Sequence, residues 1–245
     1  MGSIPALISD MNIIDLALLL IALISIAFAL YRGFLSSLLG FIACAVSLAA
    51  AFLISPYLTR ILGANQGLNS LIATYTDAGS LVGDFALAHT PVYAMNEQTV
   101  DTMLKNISLP DEMRKILQTG LAAAARQGTA DITVNSTVTH VIVSAMLGIG
   151  SFILCFFGCL IITHFLINMF GHVFPFPMLI HFDTPAAAIL GLMRGVLVVS
   201  VLLLTVPLIR TVVPFDLVNR YLDQSMLIPM LSRNDIFMRI AVGGI

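Results

Sequence analysis

The chain is poor in charge. Only 10% of its 245 residues are Asp, Glu, Lys or Arg, against about 25% in an ordinary soluble domain. Beside an apolar content of 59%, that shortage excludes a water-soluble protein and indicates one embedded in a lipid bilayer. The net charge of −2 excludes a nucleic-acid partner, which needs a basic stripe. Tryptophan is absent, so an interfacial belt must come from Tyr31, Tyr57 and Phe. The three cysteines, Cys44, Cys155 and Cys159, all lie in apolar runs and are too few for a disulfide framework. Cys155 and Cys159 stand four apart on one expected helix and read as small buried residues. Residues 1–31 hold Asp10 and Asp15 but no Lys or Arg. The positive start of a signal peptide is therefore missing, although Ala27-Phe28-Ala29 imitates a cleavage site. A second apolar run follows directly, so the first reads as a retained helix.

Catalytic signatures are missing too. There is no P-loop, HExxH, hydrolase elbow or paired-carboxylate constellation. His140, His164, His172 and His181 flank or sit in the third apolar run, without an acidic or Cys partner at ligand spacing. The expectation is a protein that is not an enzyme, with no cofactor and no metal.

Long uncharged runs are what the chain does have. Ile13–Tyr31 is apolar apart from Asp15 at its start. Residues 33–59 are 27 positions without charge, residues 132–182 are 51, and residues 185–209 carry only Arg194. At about 20 residues per span, these runs predict four transmembrane helices, over 12–31, 34–55, 139–170 and 185–209. Phe174-Pro175-Phe176-Pro177 ends the third, because proline cannot continue a helix. The fold class expected is all-α: a polytopic membrane protein with a long helical insertion between its second and third spans. Four segments follow: an N-terminal transmembrane hairpin (1–55), a polar, mainly helical extramembrane insertion (56–138), a second transmembrane pair (139–209) and an amphipathic tail (210–245). Within the insertion, helices are expected over 68–88, 96–106 and 110–127. Met113, Ile116, Leu117 and Leu121 share one face, to lie on the membrane or pack on the bundle.

Two dipeptides stand out, Arg32-Gly33 and Arg194-Gly195. A cation at a helix centre costs about 2.5–3.5 kcal/mol on insertion scales, so each needs a partner, a route to the interface or a task. Arg32-Gly33 forms the tight turn between the first two spans. Ala187, Gly191 and Gly195 are spaced by four, and Arg194 falls on nearly the same face. Small residues let transmembrane backbones approach, so this face, with Arg194, should point into the bundle. Thr184-Pro185 reads as cap and first helical position, leaving Asp183 just outside. Arg194 is then about nine residues in, roughly 13 Å along the axis, and too far from Asp183 to pair with it. Asn168, a carbonyl, or a group on the first three spans is the expected partner. The second span has its own stripe of small residues: Ser36, Gly40, Cys44, Ser47, Ala51 and Ser55.

These residues resemble a family. Leu30-Tyr31-Arg32-Gly33-Phe34, with Asn12 and Asp15 opening the first span, looks like the start of the colicin V production protein family. Asp183 followed by Gly191-Leu192-Met193-Arg194-Gly195-Val196-Leu197-Val198-Val199 looks like its second signature, an Asp preceding Gly-x-x-Arg-Gly. Ser225-Met226-Leu227-Ile228-Pro229 resembles its tail motif. The family usually has an acidic residue soon after the first Arg-Gly, where this chain has Ser36 and Ser37, and its second connection is often short. The role of the 56–138 insertion is therefore not implied. The resemblance implies a multi-pass bacterial inner-membrane protein of four helices, linked to colicin V production or export and to envelope homeostasis, with no established catalytic residues.

Two functions are expected from these readings. One is a non-enzymatic accessory or scaffold in the lipid bilayer, acting through membrane-protein partners or as a homo-oligomer. The alternative is a small transporter or channel in which Arg32 and Arg194 line a solute or anion path. The matched Arg-Gly positions, each ahead of or within the second helix of a pair, hint at a parallel two-helix repeat. Candidate functional and packing residues are Asp15, Arg32, Gly33, Asp183, Ala187, Gly191, Arg194 and Gly195. Counting Lys and Arg favours an internal N-terminus. Relatives with an extracytoplasmic protease domain after the fourth span place the C-terminus outside; we take both termini to lie outside.

Overall fold

The computed structural model describes residues 12–78, 80–82, 85–95, 97–107, 111–127, 132–173, 183–212, 222 and 224–225. Its helices are α1 (Ile13–Arg32), α2 (Phe34–Gly63), α3 (Gln66–Tyr75), α4 (Phe85–Ala88), α5 (Glu97–Asn106), α6 (Asp111–Gln127), α7 (Val134–Val173), α8 (Asp183–Leu203) and α9 (Thr205–Val212). A 3-10 turn covers Val92–Ala94. No strand occurs among the described residues beyond an isolated bridge between Pro91 and Thr133. The Phe174–Pro177 stop, Ser108–Pro110, His181 and most of the expected tail lie outside the described residues.

Four segments are long and apolar enough to cross a membrane: Ile13–Arg32, Phe34–Gly63, Val134–Met169 and Pro185–Val212. Their outward faces expose Leu20, Leu23 and Ile24 on α1, Leu53 on α2, Ile161 and Phe165 on α7, and Ile189 on α8. Apolar side chains displayed this densely are stable only against hydrocarbon. The described residues are therefore all-α, with four helices long and apolar enough to span a membrane and shorter helices between the second and third, the pattern of a multi-pass membrane protein.

Several helix ends differ from expectation. The second span does not stop at 55: α2 runs through Pro56 to Gly63. Proline removes one N–H, but with no water in the bilayer the remaining backbone groups must stay bonded within the helix. Thr59 adds a hydroxyl bond to the Ser55 carbonyl at 2.9 Å. The third span starts at Val134 rather than 139. Thr133 caps it, its Oγ1 accepting from the Ser136 amide at 3.3 Å. Val134 N–H bonds the Thr90 carbonyl at 3.0 Å. Asp183 is the first residue of α8, not just outside it, a shift within the fraying of helix ends. The fourth run divides at Leu204 into α8 and α9, because Pro207 has no N–H to bond the Leu203 carbonyl.

The described residues fall into two compact units. One draws on Met1–Ile54, Phe152–Val206 and Phe215–Asp235. In it, α1 packs along α8. The other draws on Ser55–Ser151, Pro207–Pro214 and Ile236–Ile245. Its core joins Leu104 of α5, Met113, Leu117 and Leu121 of α6, and Val134, Val138, Val141 and Ile142 of α7. The α6 apolar face thus packs in a helical core. Where one helix was expected over 68–88, the chain forms α3 and then α4. Asn65 caps α3, accepting from the amides of Gly67 and Leu68 at 3.0 and 3.3 Å. The helix ends where the Thr76 hydroxyl bonds the Ile72 carbonyl at 2.8 Å and Asp77 takes a φ of 48°, a left-handed conformation that a helix cannot propagate.

Candidate functional site

The site begins with the contact of α8 on α1. A Cβ on Gly191 would lie 2.6 Å from Ala29 Cβ, 3.0 Å from the Ser25 carbonyl oxygen and 3.1 Å from Ile26 Cα. One on Gly195 would lie 3.2 Å from both Ala22 Cα and Ser25 Cβ. Only glycine lets the two backbones come this close. Ala187 is fully buried on the same face. The closeness puts the Ser25 hydroxyl against α8, where it donates to the Gly191 carbonyl at 2.8 Å. The same oxygen accepts from Arg194 Nε at 3.2 Å. Ser25 is thus a hub: it satisfies a carbonyl and anchors a cation whose isolation in hydrocarbon would be costly.

The second arginine arrives through the turn. Gly33 adopts φ 81° and ψ 174°, a region essentially reserved for glycine. Its N–H bonds the Ala29 carbonyl at 3.1 Å, and Ser37 donates to the carbonyls of Gly33 and Ala29 at 2.7 and 3.0 Å. The turn is so tight that Arg32 folds back along α1. Its guanidinium carbon stands 4.5 Å from the centroid of the Phe28 ring, and that of Arg194 stands 5.5 Å from the same centroid. Both cations are held by one aromatic quadrupole.

Around them is a cleft of about 340 Å³ including its open mouth, lined by Phe28, Ala29, Arg32, Ser36, Ser37, Gly40, His164, Ile167, Asn168 and Arg194. Gly40 leaves room for the Arg194 side chain: a Cβ there would lie 3.0 Å from Nη1. His164 lines the cleft from α7. No carboxylate lines the cleft among those residues.

The rest of the α2 stripe serves packing. Gly40, Cys44, Ser47, Ala51 and Ser55 are buried. The Ser47 and Thr163 hydroxyls meet at 3.4 Å, and the Phe52 and Phe152 rings lie 4.9 Å apart. Cys44, Cys155 and Cys159 carry free thiols. At the other end of α1, Asp15 is fully buried and accepts a hydrogen bond from the Ser225 hydroxyl, while Asn12 caps the helix.

The structure therefore gathers Arg32, Gly33, Gly191, Arg194 and Gly195 around one stretch of α1, with Ala187 on the same α8 face. Asp15 stands apart at the α1 N-terminus, and Asp183 is described only as the first helical residue of α8. The expected partner of Arg194 on the first three spans is Ser25. Ser25 and Phe28 escaped the sequence reading. Their signal was a small-residue stripe on α1 itself, Ala22, Ser25 and Ala29, which faces the glycines of α8.

Residues 120–235 match the family model described as colicin V production protein. The match takes in the Asp183–Val199 stretch and the Ser225–Pro229 segment; the Arg32-Gly33 turn lies outside it. No curated protein and no solved structure matches the chain.

Proposed function

The chain carries a colicin V production protein family domain at residues 120–235, and from that premise we propose that it is a non-enzymatic accessory protein of the bacterial inner membrane that supports colicin V production and export and envelope homeostasis. It works in the lipid bilayer as a scaffold, through membrane-protein partners or as a homo-oligomer, and without nucleic acid. The observation that carries this reading is how the polar groups of the membrane unit are used. Ser25 links α1 to α8 at Gly191 and Arg194, Ser47 meets Thr163 between α2 and α7, and Ser225 bonds Asp15. These groups join segments of the membrane unit to one another. Asp15, Arg32, Gly33, Asp183, Ala187, Gly191, Arg194 and Gly195 are the residues on which assembly and the role rest.

The test is a deletion strain carrying a colicin V plasmid. Exported toxin should fall and return on complementation, and crosslinking of the native protein should capture membrane components lost in a Gly191→Leu variant. Undiminished export in the deletion strain would contradict the reading. The conducting alternative has one observation in its favour, the convergence of Arg32 and Arg194 on one cleft. Anion or solute flux in liposomes, abolished by Arg194→Ala, supports it; well-folded protein without flux leaves the accessory role.

A further inference from the structure

We propose that the cleft between Arg32 and Arg194 binds a phosphate group, presented either by an anionic lipid headgroup or as the free ion. Two guanidinium groups share the Phe28 ring at 4.5 and 5.5 Å, so their central carbons are at most about 10 Å apart. Like charges that close repel, and among the described residues no carboxylate lines the cleft to neutralise them. A bound anion is the missing counter-charge.

The donors suit an oxyanion. Arg194 spends Nε on Ser25, which fixes the guanidinium and leaves both terminal nitrogens to form the fork that grips phosphate. Arg32 reaches the cleft from the exposed end of α1, held by the ring alone among the described contacts. His164 and Ser36 add an imidazole and a hydroxyl to the lining. Gly40 keeps the wall opposite Arg194 free of a side chain, which would otherwise press on Nη1 at 3.0 Å.

The position suits a headgroup. Arg32 sits at the helix end beside the turn, while Arg194 is level with Ser25, seven positions or about 10 Å further along α1. A ligand touching both spans the polar border of the bilayer, where basic pockets between helices take anionic headgroups.

Calorimetric titration of the full chain in neutral detergent tests this, with three probes: dioctanoyl phosphatidate, dioctanoylglycerol and inorganic phosphate. Phosphatidate should bind saturably at one site and dioctanoylglycerol, which has the same chains without the phosphate, should not. Inorganic phosphate binding as tightly as phosphatidate identifies the free ion as the ligand; phosphatidate alone identifies the lipid. Arg32→Gln and Arg194→Gln should each weaken binding about tenfold or more, and Arg32→Lys less. Arg32 is exposed, so Arg32→Gln should melt like the parent and keep the test meaningful if Arg194→Gln unfolds. Absence of saturable binding by either phosphate probe, equal binding of dioctanoylglycerol, or binding indifferent to Arg32→Gln overturns the proposal. The site does not depend on the role in toxin production: failed binding leaves the export test standing, and normal export in the deletion strain leaves the titration standing.

Discussion

Replacing Gly191 with alanine should pry α1 and α8 apart. The new Cβ would stand 2.6 Å from Ala29 Cβ, 3.0 Å from the Ser25 carbonyl and 3.1 Å from Ile26 Cα, where carbon contacts settle at about 3.5–4.0 Å. Two of these obstacles are backbone atoms that cannot rotate away, so relief requires the helices to part by about 1 Å. Such a shift stretches the Ser25–Gly191 bond, now 2.8 Å, and the Arg194–Ser25 bond, now 3.2 Å, past the useful range. Overpacking costs about 1–3 kcal/mol, and each interhelical hydrogen bond is worth about 0.6 kcal/mol. Alanine's better helix propensity returns about 1 kcal/mol. The net expectation is a loss of about 1–3 kcal/mol, read by reversible unfolding in mixed micelles with increasing dodecyl sulfate. Gly158→Ala is the control: a Cβ there meets nothing within 4 Å, so it should be neutral or mildly stabilising. If Gly191→Ala proves no less stable than Gly158→Ala, the close approach of α1 and α8 is wrong.

Gly33→Ala, which forces φ 81° and ψ 174° on a residue with a side chain, should cost about 1–3 kcal/mol in the same assay. Gly120→Ala sets a methyl 2.4 Å from Val141 Cγ2 and should destabilise by about 1–3 kcal/mol. Because that obstacle is a side chain, Val141→Ala should recover part of the loss in the double variant; no recovery would contradict the α6–α7 packing. The proposal that both termini lie outside expects an active C-terminal alkaline phosphatase fusion and a dark C-terminal green fluorescent fusion; a fluorescent C-terminus would reverse the topology.

The spans were legible because charge is scarce: the uncharged runs around α1, α2, α7 and α8 are long enough to cross a bilayer, and nothing in the composition competes with that reading. Their ends were not, since Pro56 lies within α2 and Thr133 starts α7 ahead of the apolar run. Both depend on local hydrogen bonds that hydropathy does not register. The expected 68–88 helix failed for a similar reason: Asp77 at φ 48° ends a turn that apolar spacing alone would have continued. At the site, Ala187, Gly191 and Gly195, spaced by four, lie on a buried face of α8, and Arg194 bonds Ser25. The approach of Arg32 to Arg194 was beyond the sequence. It follows from which face of α1 receives those glycines, and Ser25 and Phe28 are ordinary residues in an apolar helix until a neighbour meets them.

The pairing of α1 with α8 brings the two arginines to one cleft. Its direct test is oxidative crosslinking in native membranes of a Ser25→Cys, Gly195→Cys variant with Cys44, Cys155 and Cys159 replaced by alanine. A Cβ on Gly195 would lie 3.2 Å from Ser25 Cβ, close to the roughly 3.5–4.5 Å of a disulfide. Rapid formation of an intramolecular bridge, with the protein still folded, is the expected result. Folded protein that forms no bridge would contradict the account.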